Sequence, residues 1–367
     1  MPHHSAVFCY GRRHHCIKEL EDVYEHTKKI ARIVSPSRSA NILSEETVAT
    51  AIETLAGLDI QCDFAKHYIH QSDTMAQLIT DKAQDLNEAY AAPNIALILS
   101  TIGGHNANRI LDHLDWETIR TQPKPLCGYS DITVLLNAIY AKTGQITFLG
   151  PHFSSFGMQQ GFEYTLKHFE HALLLGTDYV LDVSETWSDD LWFIDQARRQ
   201  FIKNTGPVIV TPGSCEGTIL GGNLCSFNLL QGTQYMPDLT GAVLFLEEDN
   251  LLGELTLTEF ERNLQSLLSH RGAEHIQGLM IGRFQKDSKV ELNDLIEVLR
   301  SFEQLKHCPV VCNLDFGHTT PIFTIPIGGR CRISAPEDTV SIKISPVRFR
   351  LSGIKACRTA YSPRMIN

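Results

Sequence analysis

Residues 124–140 place a serine between a short apolar stretch and a helical pattern. Gly128 allows a tight bend, and Ser130 then stands at the N-terminus of the predicted helix, where unpaired backbone N–H groups can stabilise an anion. This is the arrangement of a nucleophile elbow, although Ile132 occupies the place of the second glycine in the G-x-S-x-G form. Helix capping by Ser130 or Asp131 explains the same residues. The segment therefore indicates a nucleophile or a helix cap.

Three further segments carry polar residues at glycine-rich ends of apolar strands. They are residues 100–109 with Gly103 and Gly104, residues 211–224 with Glu216 and Asn223, and residues 313–321 with His318. Ligands bind at the carboxyl ends of strands in open α/β sheets. With Ser130, these segments supply a hydroxyl, a carboxylate, an imidazole and backbone amides, which are the parts of a serine hydrolase. Taken singly, Glu216 also fits a turn cap and the glycine pair a simple strand-end turn.

Strands and helices alternate in the first half of the chain. Apolar runs predict strands near residues 31–34, 59–64, 95–100 and 146–149, and periodic segments predict helices near 44–55, 80–90 and 109–114. Such alternation is typical of a parallel α/β sheet. The second half is strand- and loop-rich over 176–245, then contains two helix–strand units and a β-like tail.

These patterns predict an α/β protein with a flavodoxin-like parallel sheet in its N-terminal domain and a smaller, mixed α/β C-terminal domain. We place an extension at 1–28, the N-terminal domain at 29–160, a linker region at 161–180 and the C-terminal domain at 181–367. The N-terminal domain carries the serine, and the C-terminal domain carries the candidate Glu and His.

Composition excludes several classes of function. The net charge of −10 argues against a nucleic-acid binder, and no stretch approaches the 18 apolar residues of a membrane span. Residues 1–28 show no apolar signal-peptide core, so we expect a cytoplasmic protein. The ten cysteines are scattered without a C-x-x-C pair, which favours reduced thiols.

Metal binding has weak support in the sequence. Cys308 and Cys312 could project on one face of a strand, but no second ligand pair lies nearby. The N-terminal His3, His4 and Cys16, together with His14 and His15, could also bind metal, but a loosely ordered extension explains them better. We expect no metal and no cofactor.

Six motifs occur in a familiar order from about residue 29 onward. They are IGG at 102–104, GYSD at 128–131, CEGTILGGNL at 215–224, LEEDN at 246–250, IGRF at 281–284 and DFGHT at 315–319. The chain resembles the LD-carboxypeptidase family of serine peptidases, especially its microcin C immunity branch, which the segment around Trp187 favours. His105 and Cys215 depart from the branch, where an acidic and a small residue are usual.

The resemblance implies a Ser–Glu–His triad. Ser130 would be the nucleophile, His318 the general base and Glu216 the carboxylate that orients the imidazole. The backbone N–H groups of Gly104 and Asp131 would form the oxyanion hole. Residues implied in substrate binding are Trp187, Gly103 and Asn223.

The expected function is hydrolysis of the amide-like bond between an aminoacyl group and a nucleotide mimic, as in microcin C detoxification. An aromatic face such as that of Trp187 can stack on adenine, and the alternative for this residue is a core position in an inserted hairpin. The alternatives are trimming of D-alanine from murein tetrapeptides and an inactive binding protein of the same fold. The expected partners are a peptide-nucleotide or muropeptide substrate and a second copy in a homodimer, with no nucleic acid and no membrane.

Overall fold

The computed structural model describes residues 29–347. The N-terminal extension with its histidines and Cys16 lies outside the described residues. The first sheet contains five parallel strands in the order β2-β1-β3-β4-β5. Their bounds are β1 (Lys29–Val34), β2 (Ile60–Phe64), β3 (Ile95–Ser100), β4 (Leu126–Gly128) and β5 (Thr147–Leu149). This 2-1-3-4-5 order is that of flavodoxin-like sheets, and it confirms the predicted N-terminal fold.

Helices follow these strands. The helices are α1 (Glu45–Ala56), α2 (Met75–Ala91), α3 (Trp116–Thr121), α4 (Thr133–Thr143) and α5 (Glu163–Phe169). Three of them, α1, α2 and α4, overlap segments that the sequence pattern predicts as helical. The helix α1 starts where Ser44 accepts a hydrogen bond from the N–H of Thr47. The helix α2 begins five residues earlier than predicted because Thr74 caps it by accepting from the N–H of Gln77. The segment 109–114 forms most of a 3₁₀ helix, Ala107–His113.

A second sheet forms most of the C-terminal half. Its eight strands run in the order β6-β16-β15-β10-β11-β12-β13-β9. The bounds are β6 (Tyr179–Val180), β9 (Val208–Thr211), β10 (Gly213–Asn223), β11 (Ala242–Glu247), β12 (Gly278–Gly282), β13 (Val310–Leu314), β15 (Arg330–Ala335) and β16 (Ser341–Ile344). The central strands β10 to β13 are parallel and the outer ones antiparallel, so the sheet is mixed as predicted.

Smaller elements complete the second half. They are the paired strands β7 (Thr186–Trp187) and β8 (Ile202–Lys203), the strand β14 (Ile325–Ile327), and the helices α6 (Leu224–Asn228), α7 (Thr256–Leu268) and α8 (Leu292–Ser301). Within residues 29–347, no helix has the length and apolar character needed to cross a bilayer.

Several contacts join segments that the predicted domain boundaries assign to different domains. The strand β14 pairs antiparallel with β5, so a late segment completes the first sheet. The segment predicted as a linker holds α5, a π-helix (Glu170–Leu175) and β6, which pairs with β16. Asn137 of α4 exchanges hydrogen bonds with the backbone of Gly221 in β10, at 2.8 and 3.1 Å. The helix that follows Ser130 is thereby fixed against the second sheet.

Candidate active site

Ser130 lies at a sharp turn between β4 and α4. Its φ of +57° is a left-handed conformation that a residue with a side chain adopts at a cost, and such strain is common at functional sites. The turn continues as a short 3₁₀ helix, Ser130–Ile132, and Ile132 is fully buried. The geometry is that of a nucleophile elbow in which an apolar core residue replaces the second glycine.

His318 connects Ser130 to a buried carboxylate. Its Nε2 lies 3.1 Å from Ser130 Oγ, and its Nδ1 lies 2.7 Å from Oε2 of Glu247. Glu247 is the last residue of β11, and its side chain is 1% exposed. Gly317, at a φ of +102°, brings the His318 loop against this carboxylate, since a Cβ there would lie 2.7 Å from Glu247 Oε2. The three side chains have the connectivity of a Ser–His–Glu triad.

Glu216 does not take part in this arrangement, so the predicted third member of the triad is wrong. Its half-exposed carboxylate forms ion pairs with Arg330 and Arg332 of the adjacent strand β15, at 3.1 and 2.9 Å. Glu216 precedes the carboxyl end of β10 at Asn223 by seven residues, or about 23 Å of extended chain. The carboxylate that reaches His318 comes instead from the neighbouring strand.

Gly103 brings the backbone directly against the nucleophile. A Cβ at Gly103 would lie 2.8 Å from the Cβ and 2.9 Å from the Oγ of Ser130, so a side chain here would displace the serine. Gly104 follows and packs against Ser37 and Arg38. The proposed oxyanion donors, the N–H groups of Gly104 and Asp131, therefore belong to segments that flank Ser130.

Asn223 has an internal role in the structure. It is 1% exposed, and its Oδ1 accepts from the N–H of Ser226 at the start of α6. Its Nδ2 donates to Oε1 of the buried Glu248 at 2.8 Å. Because both ends of the amide are engaged, the structure does not support the predicted contact of Asn223 with substrate.

A cavity of about 170 Å³ opens beside His318. Its lining includes aromatic and apolar side chains from three segments, namely Tyr129, Met158, Phe162, Trp192 and Phe193. Trp192 is half-buried, and its ring meets that of Phe193 edge to face at 5.9 Å. The cavity thus offers flat apolar surfaces within reach of the triad, which suits a planar substrate group.

Trp187 lies outside the lining of this cavity. The Arg283 guanidinium and the Lys286 ammonium lie over its ring, at 5.1 and 5.3 Å from the centroid. Arg283 is itself buried in a salt bridge with Asp315 at 2.7 Å. Because the Trp187 ring contacts these two cations and does not line the cavity beside His318, the structure does not place Trp187 at the predicted stacking position.

The comparisons with known proteins agree with this geometry. The LD-carboxypeptidase N-terminal domain model matches residues 31–150, and the C-terminal domain model matches residues 216–333. The chain belongs to the LD-carboxypeptidase family. It is a serine carboxypeptidase-type hydrolase by this membership. The matched ranges contain Ser130 in the N-terminal domain and Glu247 and His318 in the C-terminal domain.

Relatives within the LD-carboxypeptidase family are named either as carboxypeptidases or as a microcin self-immunity protein. The chain is 42% identical to the Bacillus subtilis protein named "Putative carboxypeptidase YocD", over 85% of this chain and 95% of that protein. It is 33% identical to the microcin C7 self-immunity protein of Escherichia coli, over 72% of this chain and 78% of that protein.

Solved structures extend the similarity to the whole fold. An MccF-like protein from Bacillus anthracis superposes with a TM-score of 0.85 at 46% identity, covering 87% of this chain and 97% of that one. A microcin C7 self-immunity protein in complex with aspartyl sulfamoyl adenosine superposes with a TM-score of 0.76 at 30% identity, covering 87% of this chain and 96% of that one.

Acidic neighbours set the charge state of the His318 imidazole. Burial works to lower the pKa of the His318 imidazole, but the charge and hydrogen bond of Glu247, with the charges of Asp249 and Glu248, raise it to about 9. Burial, followed by the Glu247 charge, raises the pKa of Glu248 to about 7. The site therefore favours the imidazolium, which is the form that the histidine takes after it accepts the serine proton.

The two departures from the family pattern lie in different parts of the structure. His105 is exposed, one residue beyond Gly104. Cys215 lies near the start of β10, on the same distant part of the strand as Glu216.

Cys308 and Cys312 are buried, and burial raises the pKa of both thiols, to about 11 and about 12. Among residues 29–347, no three His, Cys, Asp or Glu side chains are grouped so that they could hold a metal ion.

Sequence reasoning missed Glu247 and Trp192. Glu247 had a usable signal, because it ends an apolar strand just as Ser130 and His318 follow theirs. Trp192 had none, since it lies in a loop between the two-residue strands β7 and β8, where no periodicity marks which side chain turns inward.

Proposed function

We propose that the protein hydrolyses the amide-like bond between an aminoacyl group and a nucleotide or nucleotide mimic, and so detoxifies microcin C-type compounds in the cytoplasm. The observation that carries this proposal is the cavity beside His318, whose lining includes the aromatic side chains of Trp192 and Phe162. A purine is a planar apolar surface, and each base stacked on an aromatic side chain contributes about 1–3 kcal/mol. The complex of the microcin C7 self-immunity protein with aspartyl sulfamoyl adenosine supports the same substrate class.

The chemistry follows from the hydrogen-bond directions of the triad. In its neutral form, the His318 imidazole donates its Nδ1–H to Glu247, which leaves the lone pair of Nε2 directed at Ser130 Oγ. Ser130 attacks the acyl carbon while His318 accepts its proton, and Glu247 stabilises the imidazolium that forms. The N–H groups of Gly104 and Asp131 would stabilise the oxyanion.

Three further proton transfers complete the reaction. The imidazolium of His318 protonates the nitrogen of the leaving group, and an acyl ester on Ser130 remains. Water then attacks the ester while His318 accepts one of its protons, and the imidazolium returns that proton to Ser130 Oγ as the ester breaks. The products are a free amino acid and the nucleotide part with its amine-type nitrogen.

Two substrates separate the proposal from its alternatives. Purified protein is incubated with aspartyl sulfamoyl adenosine or with a murein tetrapeptide, and the products are quantified by chromatography. We expect release of aspartate from the first compound, and loss of this release in Ser130→Ala. Release of D-alanine from the tetrapeptide alone would establish murein trimming instead. Cleavage of neither compound, with no labelling of Ser130 by a fluorophosphonate, would favour an inactive binding protein.

We also propose that the protein is a homodimer. Analytical ultracentrifugation of the full chain measures its mass, and the chain mass of 41.1 kDa sets the value for a monomer. A single species near twice this mass is the expected result, and a single species at the chain mass would contradict it.

A further inference from the structure

One carboxylate beside the nucleophile has no part in the proton transfers described above. Asp131 follows Ser130 directly, and it is 2% exposed. Its Oδ2 accepts hydrogen bonds from the hydroxyl of Ser37 and from the backbone N–H of Ala107, the latter at 2.9 Å. Ser37 lies in the loop after β1 and Ala107 in the loop after β3, so a single oxygen atom connects two loops to the nucleophile turn.

These two loops determine where the Gly103–Gly104 backbone lies. The N–H of Arg38 donates to the carbonyl of Gly103 at 3.2 Å, and Gly104 is packed so closely against Ser37 that a Cβ would collide with its hydroxyl. Ala107 is three residues beyond Gly104 on the same loop. The Asp131 carboxylate thus binds the two segments that flank the glycine pair, at Ser37 and at Ala107.

A buried lysine fixes the same loop. Lys82 is 2% exposed, and its Nζ donates to Oδ1 of Asn106 at 2.8 Å, next to the Ala107 N–H that Asp131 binds. Burial lowers the pKa of Lys82 to about 8, while the charge of Asp131 acts in the opposite direction. A buried carboxylate needs such a partner because an isolated buried charge is costly.

We propose that the Asp131 carboxylate is a positioning group that sets the distance between the two oxyanion donors, its own N–H and the N–H of Gly104. The inference rests on the proposed role of Ser130 as the nucleophile. Preorganised donors stabilise a transition state only when they lie within hydrogen-bond distance of the developing charge, and removal of one such donor costs about 10²–10³ in turnover. Releasing the Gly104 loop from Asp131 should have an effect of this size.

Asp131→Asn and Ser37→Ala test the proposal, with Asp85→Asn as a matched control. Asp85 is also 2% exposed and accepts from a backbone N–H, that of His67 at 2.9 Å, but it does not bind the Gly104 loop. We measure kcat and KM on the cleaved substrate, the rate at which a fluorophosphonate labels Ser130, and the thermal midpoint of each variant.

Asp131→Asn should lower kcat about 100-fold and slow labelling in parallel, with KM changed by less than about threefold. Ser37→Ala should lower kcat about 10-fold, and Asp85→Asn should lose stability while both rates stay within about threefold of the parent. The proposal is overturned if Asp131→Asn keeps kcat within about threefold of the parent, or if Asp85→Asn loses as much activity.

Two further outcomes separate this proposal from the proposed function. If Asp131→Asn does not fold, Ser37→Ala decides, and an unchanged kcat in that variant contradicts the inference. If the parent is labelled but cleaves neither substrate, the substrate assignment fails while the labelling rates still test Asp131. If the parent shows neither labelling nor cleavage, the nucleophile assignment fails and the inference with it.

Discussion

The proposed function assigns the stacking role to Trp192 and not to Trp187, and this assignment leads to a quantitative prediction. Trp192 presents a half-buried indole to the cavity beside His318. Trp192→Ala removes one stacking surface, worth about 1–3 kcal/mol for a bound base, which corresponds to roughly 5- to 150-fold in binding. Stacking on a base remote from the reacting carbon is equal in the ground and transition states, so the loss should appear in KM while kcat stays near its parent value.

The assay compares two substrates and two tryptophans. Steady-state constants are measured for aspartyl sulfamoyl adenosine and for an aspartyl amide that lacks the base. Trp192→Ala should raise KM only for the nucleotide compound. Trp187→Ala is the control, because it removes the ring that covers the buried Arg283, and it should lower the thermal midpoint more than it changes KM.

The reasoning is refuted if Trp192→Ala leaves the KM of the nucleotide compound unchanged, or raises both KM values equally. A selective KM increase in a stable Trp187→Ala variant would return the stacking role to that residue.

Three shorter predictions follow from the same geometry. Ser130→Ala should fold normally and lose about a millionfold in turnover, and activity within tenfold of the parent would remove Ser130 from the mechanism. Because His318 must be neutral to accept a proton and Glu247 raises its pKa to about 9, kcat/KM should rise with pH above neutrality; a profile already flat at pH 6 would contradict this. Burial lowers the pKa of His152 to about 3 and that of His168 to about 4. Below pH 6.5 the unfolded chain therefore binds more protons than the folded chain, and the free energy of unfolding should fall on acidification. His168→Phe, measured by urea denaturation at pH 7.5 and 5, should reduce this loss, and an unchanged pH dependence would contradict the assignment.

The sequence was sufficient to predict the parts of the site that depend on strand ends. Ser130 and His318 follow buried strands that each pair in parallel with a neighbour, and the alternation of apolar runs with periodic segments locates those ends closely. The 2-1-3-4-5 strand order agrees with the same pattern. These features are local or follow from general rules of connection.

The sequence was not sufficient to predict features that depend on strand length or on the pairing of distant strands. The predicted Glu216 belongs to a family motif, but β10 extends for eleven residues and carries the two ends of that motif to opposite ends of the strand. The pairing of β14 with β5 joins segments about 180 residues apart, and no local pattern encodes such a contact. Both features depend on tertiary geometry that residue types alone do not specify.

The most direct test of the triad compares Glu247→Gln with Glu216→Gln. Both changes keep the shape of the side chain, but only Glu247 binds the His318 ring, and Glu216 forms exposed ion pairs that contribute little to stability. We predict that Glu247→Gln lowers kcat about 10⁴-fold through loss of the imidazolium-stabilising carboxylate, while Glu216→Gln stays within about twofold of the parent. Comparable losses in both variants, or a Glu247→Gln enzyme within about tenfold of the parent, would contradict the assignment of Ser130, His318 and Glu247 as the triad.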